Sequence, residues 1–435
     1  MSIVYLKKAA RAATTGESDV RTKVEGLLAE IEAGGEEAVI RLCRELDGWD
    51  GEIVVSKAAW NAAEGQLSRQ LKEDIQLAHR HVQRFAEVQR QAISDVEIEM
   101  MPGLTVGHRN LPLETAGCYV PGGRYAHIAS AIMSVTTARA AGVPAVIACS
   151  PPRAAGGIHP AQLYALKVCG ADTVLNLGGV QGIGAMAFGL FGCPKADILC
   201  GPGNQFVAEA KRLLYGRVAI DMFAGPTETL VIADATADAD IVAADLVGQA
   251  EHGYNSPVWL ISLDEKLAQE VIARVPKLIE TLPEPNRSSA EAAWRDYAEV
   301  GLAESREDAA AKSDQYASEH LHVQCADVGW WHDRLRNYGS LFLGEETTVA
   351  FGDKVSGPNH ILPTKSAARY TGGLSVGKFL KTVTWQRMTR EANRTIAPAC
   401  ARISRHEGME GHARSADIRL SKWFREEYFD LTGND

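Results

Sequence analysis

From about residue 116 the chain settles into one rhythm: a short apolar run, a Gly or Pro turn, then a helical pattern. Apolar runs at 145–149, 173–177 and 197–200 alternate with helices predicted over 160–168, 184–191 and 205–214. A second set follows, with strands predicted at 229–232, 258–262, 300–303, 322–325 and 340–343 and helices at 241–252, 265–282 and 306–320. Parallel strands need a crossover, usually a helix, and strands covered on both faces read as continuous apolar runs rather than alternating ones. The pattern therefore predicts two α/β layers built from parallel βαβ units.

The front of the chain has a different texture. Val24, Leu27, Leu28 and Ile31 recur at helical spacing, which predicts a helix over 19–48, and Ser56 is a candidate N-cap for a second over 57–94. The segment from 372 carries Lys378, Lys381, Arg387, Arg390, Arg394, Arg402 and Arg405 and few apolar residues, so it is expected to pack on something else. The domain division expected from these textures is 1–115 with 229–371, an inserted domain over 116–228, and a tail over 372–435.

Composition excludes several classes. Apolar residues make up 46% and charged residues 23% of 435, which suits a packed core. A formal charge of −10 argues against nucleic acid or an anionic membrane as main partner, while leaving room for a local basic pocket. No run approaches the roughly 20 apolar residues of a membrane helix, and the N-terminal residues lack the apolar core of a signal peptide. The eight cysteines form no CxxC pair, which predicts free buried thiols and a cytoplasmic location.

Several motifs carry chemistry. Gln249 and His252 lie three apart in Gly-Gln-Ala-Glu-His; Asp353 and His360 bracket a Gly-rich segment read as a loop; His412 ends Glu-Gly-Met-Glu-Gly-His. Two imidazoles, a carboxylate and an amide oxygen make a donor set suited to Zn²⁺ with room for substrate. Glu319 and His320 are neighbours at a predicted helix-to-strand junction, and imidazole titrates where a general base must. Gly-Gly-Val-Gln-Gly-Ile-Gly-Ala at 178–185 and Gly-Pro-Gly-Asn at 201–204 are strand-to-helix turns whose N–H groups suit a phosphate. Each motif alone also fits a plain turn or helix end.

Together and in this order the motifs resemble the histidinol dehydrogenase family, along nearly the whole chain. The resemblance rests on Gly-Cys-Tyr-Val-Pro-Gly-Gly (117–123), Gly-Pro-Gly-Asn (201–204), Ile-Asp-Met (220–222), Ala-Gly-Pro-Thr-Glu (224–228), Gln-Ala-Glu-His (249–252), Glu-His-Leu (319–321) and Ser-Gly-Pro-Asn-His-Ile-Leu-Pro-Thr (356–364). It implies two Rossmann-like α/β domains with a helical N-terminal segment and an extended C-terminal tail, in an intertwined homodimer whose sites are completed by the partner's tail. It implies one Zn²⁺ per subunit on Gln249, His252, Asp353 and His412, and Glu319 with His320 as the acid–base pair. It further implies NAD contacts at Tyr119, Gln181 and Asn204, and substrate contacts at Thr227, His360 and Glu407. The family oxidises a primary alcohol to a carboxylate in two NAD-dependent steps.

The departures from that pattern bear on substrate. Arg124 and His127 stand in a run that is small or apolar in most of the family, Thr227 stands where Ser is usual, and Pro358 where Thr is usual. These variants look like the sulfopropanediol 3-dehydrogenase branch of the family. Histidinol is a cation, whereas Arg124, His127, Lys378 and Lys381 offer donors suited to a small anionic metabolite such as 2,3-dihydroxypropane-1-sulfonate. Oxidation of L-histidinol and a non-catalytic metal-binding scaffold are the alternatives.

Overall fold

The computed structural model describes residues 3–11, 17–122, 125–153, 156–223 and 225–432. The chain divides by contact into two units, residues 1–90 with 112–379 and residues 91–111 with 380–435. The first unit holds both α/β sheets.

In chain order the strands are β1 (Ile3–Lys7), β2 (Val96–Met101), β3 (Leu104–Pro112), β4 (Thr115–Tyr119), β5 (Ala145–Ser150), β6 (Thr173–Asn176), β7 (Ile198–Cys200), β8 (Ala219–Ile220), β9 (Thr229–Ala233), β10 (Val258–Ser262), β11 (Glu299–Ala303), β12 (His320–Gln324), β13 (Ser340–Leu343) and β14 (Leu380–Met388). One sheet runs β6-β5-β4-β7-β8, all parallel. β4 is buried at every position, as a strand covered on both faces requires. The helix Glu17–Leu42 turns Val24, Ile31, Val39 and Leu42 into the core beneath this sheet. It lies so close to the helix Gly179–Phe188 that a Cβ on Gly184 would stand 3.1 Å from Ile31. Residues 1–115, grouped in sequence with the other sheet, thus divide: β1 joins that sheet, while the helix Glu17–Leu42 packs here. Ser56 does cap its helix, accepting from the Ala59 N–H at 3.2 Å. The predicted 57–94 helix is two, Lys57–Gly65 and Arg69–Gln91.

The other sheet runs β1-β11-β10-β9-β12-β13, with β1 antiparallel to β11 and the pairs from β11 to β13 parallel. The helices Ala239–Ala250 and Glu265–Glu280 contribute Val242, Leu246, Val271 and Val275 to one core cluster. Leu321, Val323, Trp331 and Leu335 belong to another. In each sheet the strand order reverses once: between β4 and β7 in the first, between β9 and β12 in the second. Such switch points open the crevices where α/β proteins bind ligands.

The turn after β7 is held by a buried ion pair. Lys211 Nζ lies 2.5 Å from Asp221 Oδ1 and donates to the Gly201 carbonyl at 2.9 Å. Asp221 Oδ2 accepts from the Gly201 N–H at 2.8 Å. Gly201 is obligatory here, because φ is +112° and a Cβ would fall 2.0 Å from the Tyr119 carbonyl oxygen.

In the second unit β2 and β3 form an antiparallel hairpin, and β14 joins them in the order β14-β3-β2. The helices Asn393–His406 and Glu410–Trp423 pack through Ala397, Ala401, Ala413, Ala416 and Leu420. The tail expected to lack a core therefore builds a small one, because alanines let two helices approach closely. Strand β14 also recruits residues 91–111, which carried no tail signal in sequence. Among the described residues no helix is long and apolar enough to cross a membrane, and all eight cysteines are free, seven of them buried.

Removing one partner of a buried pair strands the other charge without solvent. Lys211→Met should lower unfolding free energy by about 3–5 kcal/mol, read from urea melts. A loss under about 1 kcal/mol, the level of an exposed pair, would show that Asp221 is satisfied without its lysine.

Candidate active site

His320 opens β12 and lies level with Thr229, the first residue of β9. That register brings together the two residues just ahead of the strands, Glu319 and Glu228. The Glu228 carbonyl accepts from the His320 N–H at 3.1 Å, and the Glu228 N–H donates to Glu319 Oε2 at 3.0 Å. The imidazole of His320 then stands between carboxylates. Its Nδ1 is 3.6 Å from Glu319 Oε2, and its Nε2 is 3.6 Å from Asp353 Oδ1. The other Asp353 oxygen, Oδ2, lies 3.8 Å from His252 Nε2. His360 closes the row: its Nδ1 is 2.8 Å from the Asp353 carbonyl and its Nε2 is 3.1 Å from Ser130 Oγ. A cavity beside these groups is lined by His320, Phe342, Asp353, Asn359 and His360.

Local structure departs from the sequence reading at two of these positions. Asp353 sits on a short helix, Val349–Lys354, capped by Thr348, and not in a loop. His252 lies beyond the end of the helix Ala239–Ala250, so it is not on one helical face with Gln249. The Gln249 amide oxygen remains nearby, accepting from Thr229 Oγ1 at 3.2 Å. Asp245, absent from the sequence reading, ties the two helices together. It accepts from Thr348 Oγ1 at 2.8 Å and from Gln324 Nε2 at 2.8 Å, and lies 3.3 Å from His322 Nδ1. Its one sequence signal is a carboxylate a helical turn before Gln249.

Burial dominates the electrostatics. It pushes the Glu319 carboxyl up to about 8, against the His320 charge and the Glu228 N–H, which favour the ionised form. Burial alone would depress His320, yet Glu319, Asp353 and the Glu228 carbonyl together raise it. The pair therefore holds at least one proton near neutral pH, shared between two coupled groups. Asp353 is held well below its usual range: burial opposes ionisation, but His320, His360 and His252 outweigh it. His360 is lowered, chiefly by burial and against the Asp353 charge, and His252, over a third of whose side chain is exposed, is lowered in the same direction. Neutral imidazole beside ionised carboxylate is the state a metal ion takes as ligands.

The remaining candidates fall in separate places. His127 precedes the helix Ile128–Ala141, and burial, reinforced by Lys354, His360 and His252, pushes it down to about 4. That direction favours the neutral ring over the cationic donor expected from the sequence. The positive charge common to His127, His252 and His360 is Lys354, which the sequence reading passed over. Arg124 lies outside the described residues. Thr227 is half-buried in the turn before β9. Tyr119, Gln181 and Asn204 gather at the carboxyl ends of β4, β6 and β7. Tyr119 Oη accepts from the Gly179 N–H at 3.3 Å, Gln181 Nε2 donates to Asp47 at 2.7 Å, and Asn204 caps the helix Gln205–Leu214. Glu407 and His412 belong to the second unit, both exposed where the helix Asn393–His406 gives way to Glu410–Trp423.

His252 and Asp353 are spaced as two ligands of a partial zinc site would be. Two donors on one tetrahedral ion, each bonded at about 2.1 Å, stand about 3.4 Å apart, and His252 with Asp353 needs only a few tenths of an ångström of closure to reach that. Among the described residues no three His, Cys, Asp or Glu side chains form a metal-holding group. What the first unit brings is this pair and the Gln249 amide.

The model of the family described as histidinol dehydrogenase matches residues 10–420. A sulfopropanediol 3-dehydrogenase of Ruegeria pomeroyi is 58% identical over 434 residues, the whole of both chains. A histidinol dehydrogenase homologue from the same organism is 60% identical over 422 residues, 97% of this chain and 98% of its own. The crystal structure of histidinol dehydrogenase from Elizabethkingia anophelis superposes with a TM-score of 0.89 at 34% identity, covering 94% of each chain.

The raised Glu319 carboxyl links folding to pH. An unfolded Glu titrates near about 4.3, so folding binds this proton more tightly. The stabilisation it gives is complete below that value and is lost as pH rises toward and through about 8. Glu319→Gln, which stays neutral, should therefore gain thermal stability relative to the native chain as pH goes from 5 to 9. Melting curves that shift equally for both chains across that range would show that Glu319 is ionised in the fold throughout.

Proposed function

We propose, from the fact that this chain belongs to the histidinol dehydrogenase family, that it oxidises 2,3-dihydroxypropane-1-sulfonate to 3-sulfolactate in two hydride transfers to NAD, through an aldehyde. The observation that carries the substrate is the 58% identity along the full length of a sulfopropanediol 3-dehydrogenase, set against 34–39% to histidinol dehydrogenases. The chemistry is supported by the row Glu319, His320, Asp353 and His252.

Gln249, His252, Asp353 and His412 are the proposed holders of zinc, which when bound lowers the pKa of an alcohol oxygen. His320 takes the hydroxyl proton at Nε2, a buried atom with no hydrogen-bond partner among the described residues. Its Nδ1 side is steadied by Glu319 and the Glu228 carbonyl. In the second half Glu319 removes a proton from the water that hydrates the aldehyde; a carboxyl titrating near 8 is a competent base in mildly alkaline solution. His360, held at both ring nitrogens, flanks the cavity and orients substrate. Tyr119, Gln181 and Asn204, at the crevice of the five-stranded sheet, are the proposed NAD contacts, with Thr227 and Glu407 on the substrate side. The buried free thiols and the use of NAD suit the cytoplasm.

A sulfonate is a permanent anion and needs a positive partner in a closed site. Lys354 fits that role better than His127, whose neutral ring burial favours. Assay of NADH formation by zinc-loaded protein should show turnover of the sulfonate and little of L-histidinol. Lys354→Met should raise the sulfonate KM about tenfold, the effect of one charge-assisted bond. The reverse preference in the native chain would overturn the substrate, and an unchanged KM in the variant would remove Lys354 from its recognition.

Exposure of Glu407 and His412, with Met409 and Ile403 exposed beside them, suits a homodimer in which each tail completes the partner's site. Inactive His252→Ala subunits mixed with inactive His412→Ala subunits and reassociated should regain activity, because one intact site forms per heterodimer. Verified heterodimers that stay inactive would mean that the tail serves its own subunit.

A further inference from the structure

Glu228 is the one member of the buried cluster without a task in the reaction above. Its side chain is 8% exposed. One carboxyl oxygen, Oε1, accepts from the Lys365 N–H at 2.9 Å. The other, Oε2, is buried with no hydrogen-bond partner among the described residues. A buried ionised oxygen without a partner is costly. Oε2 is therefore a place where a proton is welcome, and burial pushes the carboxyl up to about 7 against the opposing effects of Lys365 and His320. The charged groups that act on it are Lys365, His320 and Glu319, and its own backbone N–H and carbonyl bond to the last two.

Stoichiometry supplies the need. Oxidising an alcohol to a carboxylate with one water and two NAD moves two hydrides and releases three protons. The Glu319–His320 pair already carries at least one proton near neutral pH, so it can take up at most one more. The remaining protons need another acceptor beside the pair.

Resting on the four-electron reading above, we propose that the Glu228 carboxyl is the third proton acceptor of the site. A proton leaving the Glu319–His320 pair bonds to Glu228 Oε2 as its N–H or O–H bond breaks, and it passes to solvent when product leaves. Glu228 touches no reacting carbon. It keeps the base pair free for the second half of the reaction.

Glu228→Gln keeps an acceptor for the Lys365 N–H and the shape of the side chain, but it cannot take a proton. With zinc-loaded enzyme, kcat should fall about tenfold or more while KM changes less than threefold, and the kcat–pH profile should lose its ionisation near neutrality. In a rapid-mixing single turnover followed with a pH dye, native proton release should lag NADH formation. The variant's release should run in step with it. Native kcat, an unchanged pH profile and a retained lag in Glu228→Gln would overturn the proposal. If Glu228→Gln does not fold, Glu228→Asp retains an ionisable group and should retain the lag; activity without a lag would overturn the proposal equally. One NADH per substrate in the native enzyme would instead refute the four-electron reading, and that ratio is read without any variant.

Discussion

The site depends on one strand pairing, β12 beside β9 with His320 level with Thr229. Two hydrogen bonds at the head of that pair, His320 N–H to the Glu228 carbonyl and Glu228 N–H to the Glu319 carboxyl, set the Glu319 and His320 side chains against each other. A slip of one residue would turn every β12 side chain to the opposite face. His320 would leave Asp353, and Leu321 would take its place among carboxylates. Apolar burial guards the register, since Leu321 and Val323 are fully buried on their side.

This arrangement places these side chains at the amino ends of the strands in the six-stranded sheet, opposite to the carboxyl-end crevice favoured in open α/β folds. Helix direction offers a reason. The helix Ala239–Ala250 runs back after β9, so its carboxyl end arrives beside the start of that strand. Helix carboxyl ends carry partial negative charge and favour cations. The five-stranded sheet keeps the usual polarity, with Tyr119 and the turn at 201–204 at its carboxyl edge. Ser130, on the helix after β4, meets His360 and joins the two sets of residues.

Much of this was legible in the sequence, and what was not has identifiable causes. The strands Val258–Ser262 and Ser340–Leu343 and the helix Gln205–Leu214 match the predicted bounds because apolar runs there end abruptly at turn or charged residues. The helix Ile128–Ala141 escaped because it is buried nearly all round and shows no apolar stripe. Residues 91–111 escaped because Val96, Ile98 and Met100 are exposed, so their alternation did not mark a core. At the site, Glu319, His320, Asp353, His252 and His360 were legible as motifs, and the fold brings them together. Their mutual distances were not legible, because β9 and β12 are neighbours only after a crossover. Asp245 stayed hidden, and Glu228 closed the motif at 224–228 without a role, since a clamp between helices or an orphaned oxygen has no spacing to betray it.

The strand β1 has a consequence for how the chain is made. Its partner β11 lies about 300 residues later in the chain. The five-stranded sheet has all its strands once residue 220 is made, so it can assemble during synthesis, while β1 must wait. Pairing over such a separation closes late and slowly. Until it does, β11 presents an open sheet edge, and a second nascent chain could supply the missing strand in place of the first. Rapid production of this protein thus invites strand exchange between copies at β1, and its yield of correctly closed sheets should be governed by how crowded the unfinished chains are.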